Sequence, residues 1–133
     1  MNKRIKHILS PLLAEVKVLT QGEVAQHLSQ FPFSSPKSYV ELIGLINGIE
    51  GEIGPDSWIC LFPLEDLAET NEAYKLLMEQ IPDYFLIGKD AADTGYAFHK
   101  VDGTFHSFGL MSNFKTDSIE FMGRDFYDFF ETL

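Results

Sequence analysis

The 133 residues suffice for one domain with a single hydrophobic core, and a content of 45% apolar and 14% aromatic residues excludes an intrinsically disordered chain. The net charge of −10 disfavours direct binding to DNA or RNA, because an acidic surface repels the phosphate backbone. No stretch approaches the roughly 18 consecutive apolar residues of a membrane-spanning helix, and the first residues lack the pattern of a signal peptide, so we expect a cytoplasmic protein without a membrane partner.

Charge is distributed unevenly along the chain. Residues 1–19 carry four basic side chains and one acidic side chain, and residues 20–133 carry the remaining six basic and nineteen acidic ones, a net charge of −13. Such a body would attract a basic protein partner. A high negative charge also serves solubility alone, and composition leaves both interpretations open.

Helical spacing of apolar residues marks the first third of the chain. It predicts a basic N-terminal helical arm in residues 1–19. Thr20 and Glu23 have the spacing of a capping box and predict a second helix of about ten residues. Pro36 predicts the first turn of a third helix, and Gly48 predicts its end, because glycine tolerates the left-handed conformation in which many helices end.

Short apolar or alternating runs follow Gly48 and predict β-strands. The runs are GEIG, SWICLF, YFLIG, GYAFHK, TFHSFG and SIEFM. Residues 64–81 predict one or two helical segments between the second and third run. A C-terminal helix is predicted by the apolar stripe Phe126, Phe129, Phe130 and Leu133. This order predicts an α+β fold in a single domain of residues 1–133, with N-terminal helices packed on a mostly antiparallel sheet of about five or six strands.

The dipeptide Asp102-Gly103 is typical of a two-residue type I′ hairpin turn. Such a turn would pair His99 with His106 and would place both histidines on the face opposite Phe98. Two imidazoles without a third nearby ligand form a weak metal site. We therefore expect neither a metal nor a cofactor.

The stretch IGKDAADTGYAFHK contains acidic residues where either a metal site or a strand turn could lie. Asp90 and Gly95 have the spacing of positions one and six of a calcium loop, but Ala92 and Val101 occupy positions that need oxygen ligands. The simpler prediction is a turn in which Asp90 and Asp93 cap local amides and Gly95 adopts a left-handed bend.

No pattern in the chain indicates catalysis. The glycines at 48, 51 and 54 lack the Lys and the Ser or Thr of a phosphate-binding loop. The histidines and Cys60 lack the signatures of hydrolases, and Cys60 is predicted to be a buried, inert thiol in the apolar run WICLF. We predict a protein that is not an enzyme.

Five segments resemble those of the SUKH superfamily, which includes Smi/Knr-type fungal cell-wall regulators and many bacterial immunity proteins. The segments are YVELIGLINGIEG, SWICLFPLEDL, Asn71 with Tyr74, FLIGKDAADTGYAF and DFYDFFETL, within residues 20–133. The resemblance implies helices packed on a curved, mostly antiparallel sheet without a catalytic centre. One departure lies at residues 91–94, where the family is usually richer in glycine.

The resemblance also implies an immunity protein that binds and blocks a bacterial protein toxin, often a nuclease. The alternative is a regulatory or scaffolding module that binds an endogenous protein, as in the fungal branch. A nuclease is basic where it binds nucleic acid, so carboxylates of an acidic inhibitor could replace phosphates there. The candidate partner-binding residues are acids beside the predicted strands, in loops: Glu50, Glu52, Asp56, Asp90 and Asp93. Trp58 is predicted to pack in the core, although a partly open indole could anchor an interface.

Overall fold

A computed structural model of the chain describes residues 3, 7, 9–10, 18–53 and 57–133. Its helices are α1 (Gln21–Leu28), α2 (Lys37–Leu45), α3 (Leu67–Ala73), α4 (Lys75–Met78) and α5 (Phe126–Thr132), with a 3-10 turn at Leu64–Asp66 before α3. Its strands are β1 (Ile49–Glu52), β2 (Trp58–Leu61), β3 (Tyr84–Asp90), β4 (Thr94–His99), β5 (Phe105–Gly109) and β6 (Glu120–Gly123). The predicted N-terminal arm lies mostly outside the described residues, but its Leu9 is buried in the core.

The six strands form one sheet in chain order, and each pairs antiparallel with the next. The predicted α+β class, the strand number and the C-terminal helix are therefore confirmed. The strands β1 and β6 form the two edges of the sheet. Register shifts interrupt β3 between Leu86 and Gly88 and β5 between Phe105 and His106.

Each face of the sheet packs against a separate hydrophobic cluster. On the first face, α1, α2 and α5 pack on large side chains of the strands, among them Ile59, Phe98 and Phe105. On the second face, α4 packs on Leu86 and Phe108. The alternation of strand side chains therefore places apolar residues on both faces over the middle of the sheet.

The sequence signals that predicted the starts of two helices lie at or next to those starts in the structure. The Glu23 amide donates to Thr20 Oγ1 at 3.1 Å and the Thr20 amide donates to Glu23 Oε1 at 3.0 Å, which completes the predicted capping box. The helix α2 begins directly after Pro36, so Pro36 is its N-cap and not a residue of its first turn as predicted. The helix ends at Leu45 with Ile46 as an extended C-cap, three residues before the predicted end at Gly48. Gly48 has a φ of +82°, and a Cβ there would lie 3.0 Å from the Pro63 ring, so both its conformation and its surroundings require glycine.

The hairpin between β4 and β5 differs from the predicted one. His106 pairs with Ala97 instead of His99, so the predicted register is wrong by two residues. The turn is wider and spans residues 100–103. Because side chains alternate with a period of two, a shift of two residues leaves each of them on its predicted face.

The His99 side chain holds this wider turn. Its Nδ1 accepts hydrogen bonds from the amides of Val101 at 3.2 Å and Asp102 at 3.1 Å, and the Gly103 amide donates to the His99 carbonyl at 2.9 Å. Gly103 has a φ of +72°, whereas no non-glycine residue described has a positive φ. Asp102 therefore lacks the conformation that a type I′ turn requires, and the predicted turn type is wrong.

Candidate partner-binding surface

An acidic surface lies on the second face of the sheet where β1 and β2 meet. Cross-strand pairing sets Glu52 beside Trp58 and Glu50 beside Cys60, and Cys60 in turn beside Lys89. We name these five residues the Trp58 surface. The apolar residues of β1 and β2, Ile49, Ile59 and Leu61, point to the first face and pack in its core. Glu50 and Glu52 are exposed, and the other three side chains are half-buried.

The prediction that Trp58 packs in the core is wrong. Trp58 is half-buried and belongs to neither hydrophobic cluster, whereas its neighbour Ile59 is completely buried. Strand alternation explains the difference, because it turns Ile59 toward the helices on the first face and Trp58 toward the second. Glu50 and Glu52 lie in strand β1, and Asp90 is the last residue of strand β3, so the prediction that these three acids lie in loops is wrong.

Cys60 lies between two opposite charges on this surface. Burial raises the pKa of its thiol, and Glu50 raises that pKa further, while Lys89 lowers it. The thiol is therefore neutral near pH 7 and a weak nucleophile, in line with the predicted inert cysteine. The prediction that it is buried is only partly met, because Cys60 is half-buried.

The turn between β3 and β4 places a further carboxylate near Trp58. Asp90 Oδ1 accepts hydrogen bonds from the amides of Ala92 at 2.8 Å and Thr94 at 3.1 Å, as predicted for a capping residue. Asp93 is exposed on the same turn, and only its backbone carbonyl accepts a hydrogen bond from a described residue, from the Leu110 amide at 2.6 Å. The prediction that the Asp93 side chain caps local amides is therefore wrong, and the turn is held by Asp90 and by backbone bonds.

The predicted left-handed bend at Gly95 is wrong. Gly95 lies in strand β4 and is not among the glycines with positive φ. A Cβ at this position would lie 2.7 Å from Leu110 Cδ2 and 3.2 Å from both Leu86 and Phe108. Glycine is needed there because three apolar side chains pack directly over the backbone.

A cleft of about 290 Å³ lies at this end of the sheet, with Asp90, Trp58, Tyr96 and Leu133 in its lining. Burial raises the pKa of Tyr96 to about 12, and Asp90 contributes to the shift. Asp90 pairs with Ile59, whose side chain packs on the first face, so strand geometry turns the Asp90 side chain to the first face as well, opposite to Glu50 and Glu52.

The structure therefore brings two of the five candidate acids together on one surface. Glu50 and Glu52 share the Trp58 surface, whereas Asp90 lines the cleft at the same end of the sheet and lies on the opposite face. Asp93 lies farther out on the turn, and Asp56 lies outside the described residues. Sequence reasoning missed Lys89 as a member of this surface. The alternation of WICL, which puts Trp58 on the opposite face from Ile59, was the available signal that the indole lies outside the first-face core.

The two histidines considered as metal ligands are engaged with other groups. Their ring centroids lie 6.4 Å apart. Nδ1 of His99 accepts the two turn amides, and Nε2 of His106 lies 2.7 Å from Thr104 Oγ1. Within the described part of the chain, no three or more His, Cys, Asp or Glu side chains group as metal ligands.

His106 gives the fold a pH-dependent contribution to stability. Burial lowers its pKa, and His99 lowers it further, while Asp102 opposes the shift. A lowered folded pKa contributes stability that is complete above the unfolded pKa of about 6.5 and is lost as the pH falls through the folded value. We expect the wild-type protein to lose more free energy of unfolding than His106→Gln between about pH 7.5 and about pH 5.5 in urea titrations. Equal losses would contradict this assignment.

No protein-family model matches the chain, and no curated protein gives a significant match to it. Among the residues that the structure describes, no helix has the length and apolar character needed to cross a membrane.

Proposed function

We propose that this protein is an immunity protein of the SUKH superfamily, which binds a bacterial protein toxin and neutralises it without catalysis. The proposed toxin is a basic nuclease, and the proposed contact is the Trp58 surface. The observation that carries the proposal is the juxtaposition of two exposed carboxylates, Glu50 and Glu52, with a half-buried indole outside both hydrophobic clusters.

The chemistry of this surface suits a cationic partner. A net charge of −13 over residues 20–133 would steer a basic cleft toward the protein, and steered association reaches about 10⁸ to 10⁹ M⁻¹s⁻¹ at low salt. At contact, Glu52 and Trp58 would offer a carboxylate and an aromatic ring to the same Arg or Lys, and a cation over an indole contributes about 0.5–2 kcal/mol. Large aromatic side chains of this kind commonly dominate the energy of interfaces.

Two residues in the segments that resemble the SUKH superfamily make contacts that stabilise the fold. Such a role is consistent with a protein that acts by binding. Asn47 is buried, accepts a hydrogen bond from the Leu64 amide at 2.7 Å and donates to Glu65 at 2.8 Å. A Cβ on Gly88 would lie 2.6 Å from the Cys60 carbonyl, so glycine permits the close approach of β2 to β3. These contacts hold the strands that carry the Trp58 surface.

The first test is capture and rescue. Each product of the genes adjacent to the one encoding this protein is co-expressed with it, and growth, co-purification and nuclease activity are measured. We expect one neighbouring product to be toxic alone, to co-purify with this protein and to lose activity in the complex. If no neighbouring product is toxic or bound, the proposal fails; a bound non-toxic housekeeping protein would support the alternative regulatory or scaffolding role.

The second test asks whether binding uses the Trp58 surface. The double variant Glu50→Lys and Glu52→Lys is compared with Glu69→Lys and Glu79→Lys. The second pair changes the net charge equally at two exposed positions, one in α3 and one at the C-cap of α4. We expect the first pair to slow association with the captured toxin by about tenfold or more beyond the control pair at low salt. Equal slowing by both pairs would show that only total charge matters and would remove the Trp58 surface from the proposal.

A further inference from the structure

The outer edge of β1 presents unpaired backbone groups in an order that can be derived. The Ile53 amide donates to the Ser57 carbonyl at 2.8 Å, which makes these two residues a hydrogen-bonded pair. Such pairs alternate along antiparallel strands, so Gly51 and Ile49 also bond to β2. The amide and carbonyl groups of Glu50 and Glu52 consequently point away from the sheet.

An independent contact on the other side of β2 agrees with this alternation. The Phe62 amide donates to the Ile87 carbonyl at 2.9 Å, so Phe62 and Cys60 direct their backbone groups toward β3. Ile59 and Leu61 then direct theirs toward β1, as the pairing with Gly51 and Ile49 requires. Among the described residues, no hydrogen bond outside the strand ladder reaches the backbone of Glu50 or Glu52.

The opposite edge of the sheet is partly covered. Thr132 Oγ1 of α5 donates to the Met122 carbonyl of β6 at 2.8 Å, so one backbone acceptor of β6 already has a partner. Among the described residues, the edge of β1 is therefore the less obstructed of the two, and a further strand could add there.

Charge determines which kind of strand fits there. A second copy of β1 would bring its own Glu50 and Glu52 opposite the first pair, and like charges facing one another destabilise a strand pair. A strand with Lys or Arg at every second position would instead place its cations beside the two carboxylates and near Trp58. We propose that β1 binds an extended basic segment of the protein partner as an added strand; the identity of that partner rests on the proposed function.

The test separates the contribution of backbone hydrogen bonds to peptide binding from the contribution of the carboxylate charge. Glu52→Gln removes the carboxylate and keeps the outward amide, whereas Glu52→Pro removes both and spares the ladder with β2. The probes are two peptides of equal composition, one alternating Thr and Lys over eight residues and one with four Thr followed by four Lys. Binding of each peptide is measured by NMR titration, after far-UV circular dichroism and thermal unfolding confirm that both variants fold.

We expect Glu52→Gln to weaken binding of the two peptides alike, and Glu52→Pro to weaken the alternating peptide about tenfold more than Glu52→Gln does. Equal affinity of the wild-type protein for both peptides, equal affinity of the two variants for the alternating peptide, or no binding at about millimolar peptide would each overturn the added strand.

Hydrogen exchange on the wild-type protein provides a measurement that needs no variant. The alternating peptide should slow amide exchange at Glu50 and Glu52 and leave Gly51, which β2 already protects, unchanged. Unchanged exchange at all three amides would overturn the added strand. If amide exchange is unchanged but toxin capture depends on Glu50 and Glu52, the proposed function stands without the added strand. If the peptide binds as an added strand but no toxin is captured, the added strand stands and the proposed function fails.

Discussion

Replacing Phe129 with alanine is expected to lower the free energy of unfolding by about 3–5 kcal/mol. The Phe129 side chain is completely buried, its ring stacks on Phe105 at a centroid distance of 5.2 Å, and it meets the edge of Tyr96 at 5.3 Å. Truncation would leave a cavity between α5 and the sheet, because rings in β4 and β5 cannot collapse into it without moving strand backbone. Equilibrium unfolding in urea measures the loss.

Phe121→Ala is the matched control for this substitution. Phe121 is the same residue type in β6, but its side chain is 59% exposed, so its removal should cost about 1 kcal/mol or less. A loss of under about 1.5 kcal/mol for Phe129→Ala, or equal losses for the two variants, would contradict the packing of α5 on the sheet.

Replacing Asn71 with alanine is expected to cost about 2–4 kcal/mol. Asn71 Oδ1 accepts a hydrogen bond from the Leu86 amide at 3.0 Å, and its Nδ2 donates to the Leu86 carbonyl at 2.9 Å and the Leu67 carbonyl at 2.9 Å. Leu86 is completely buried, so alanine would leave a buried donor and acceptor without partners. The same urea titrations measure the cost.

Two further variants separate hydrogen bonding from helix effects. Asn71→Asp keeps an acceptor for the Leu86 amide but loses the donor to the Leu86 carbonyl. We therefore expect Asn71→Asp also to lower the free energy of unfolding relative to the wild-type protein. Glu72→Ala changes the next, exposed helical position, whose ion pair with Lys75 spans 3.6 Å at the surface, and should alter stability by less than about 0.5 kcal/mol. An Asn71→Ala effect no larger than that of Glu72→Ala would show that Leu86 finds other partners.

Asn71 also continues the hydrogen bonding of β3 where β2 ends. The strand β2 pairs with β3 at residues 59–61, and the Phe62 amide adds one bond to the Ile87 carbonyl. Beyond that point the Asn71 side chain replaces a strand as the hydrogen-bond partner of Leu86. The chain can therefore leave β2 early to form α3.

Several features of the structure follow from short-range patterns in the sequence. The capping box of Thr20 and Glu23 involves residues three apart, and the stripe around Phe129 involves one helical turn at a time. Strand alternation placed Phe98 and His106 on opposite faces even though the register was shifted by two, because only the parity of the shift matters. The candidate carboxylates Glu50 and Glu52 were likewise visible from composition and position.

The sequence by itself determined the α+β order of elements, the acidic body and the faces of the strands, since each depends on neighbours along the chain or on a sum over it. Tertiary structure alone decided the register of the β4–β5 hairpin, the packing role of Gly95 and how far Trp58 is buried. His99 holds its turn through bonds that turn statistics do not contain, Gly95 is constrained by side chains distant in sequence, and Trp58 lies outside both hydrophobic clusters. Such contacts depend on the relative placement of whole elements, which local spacing does not specify.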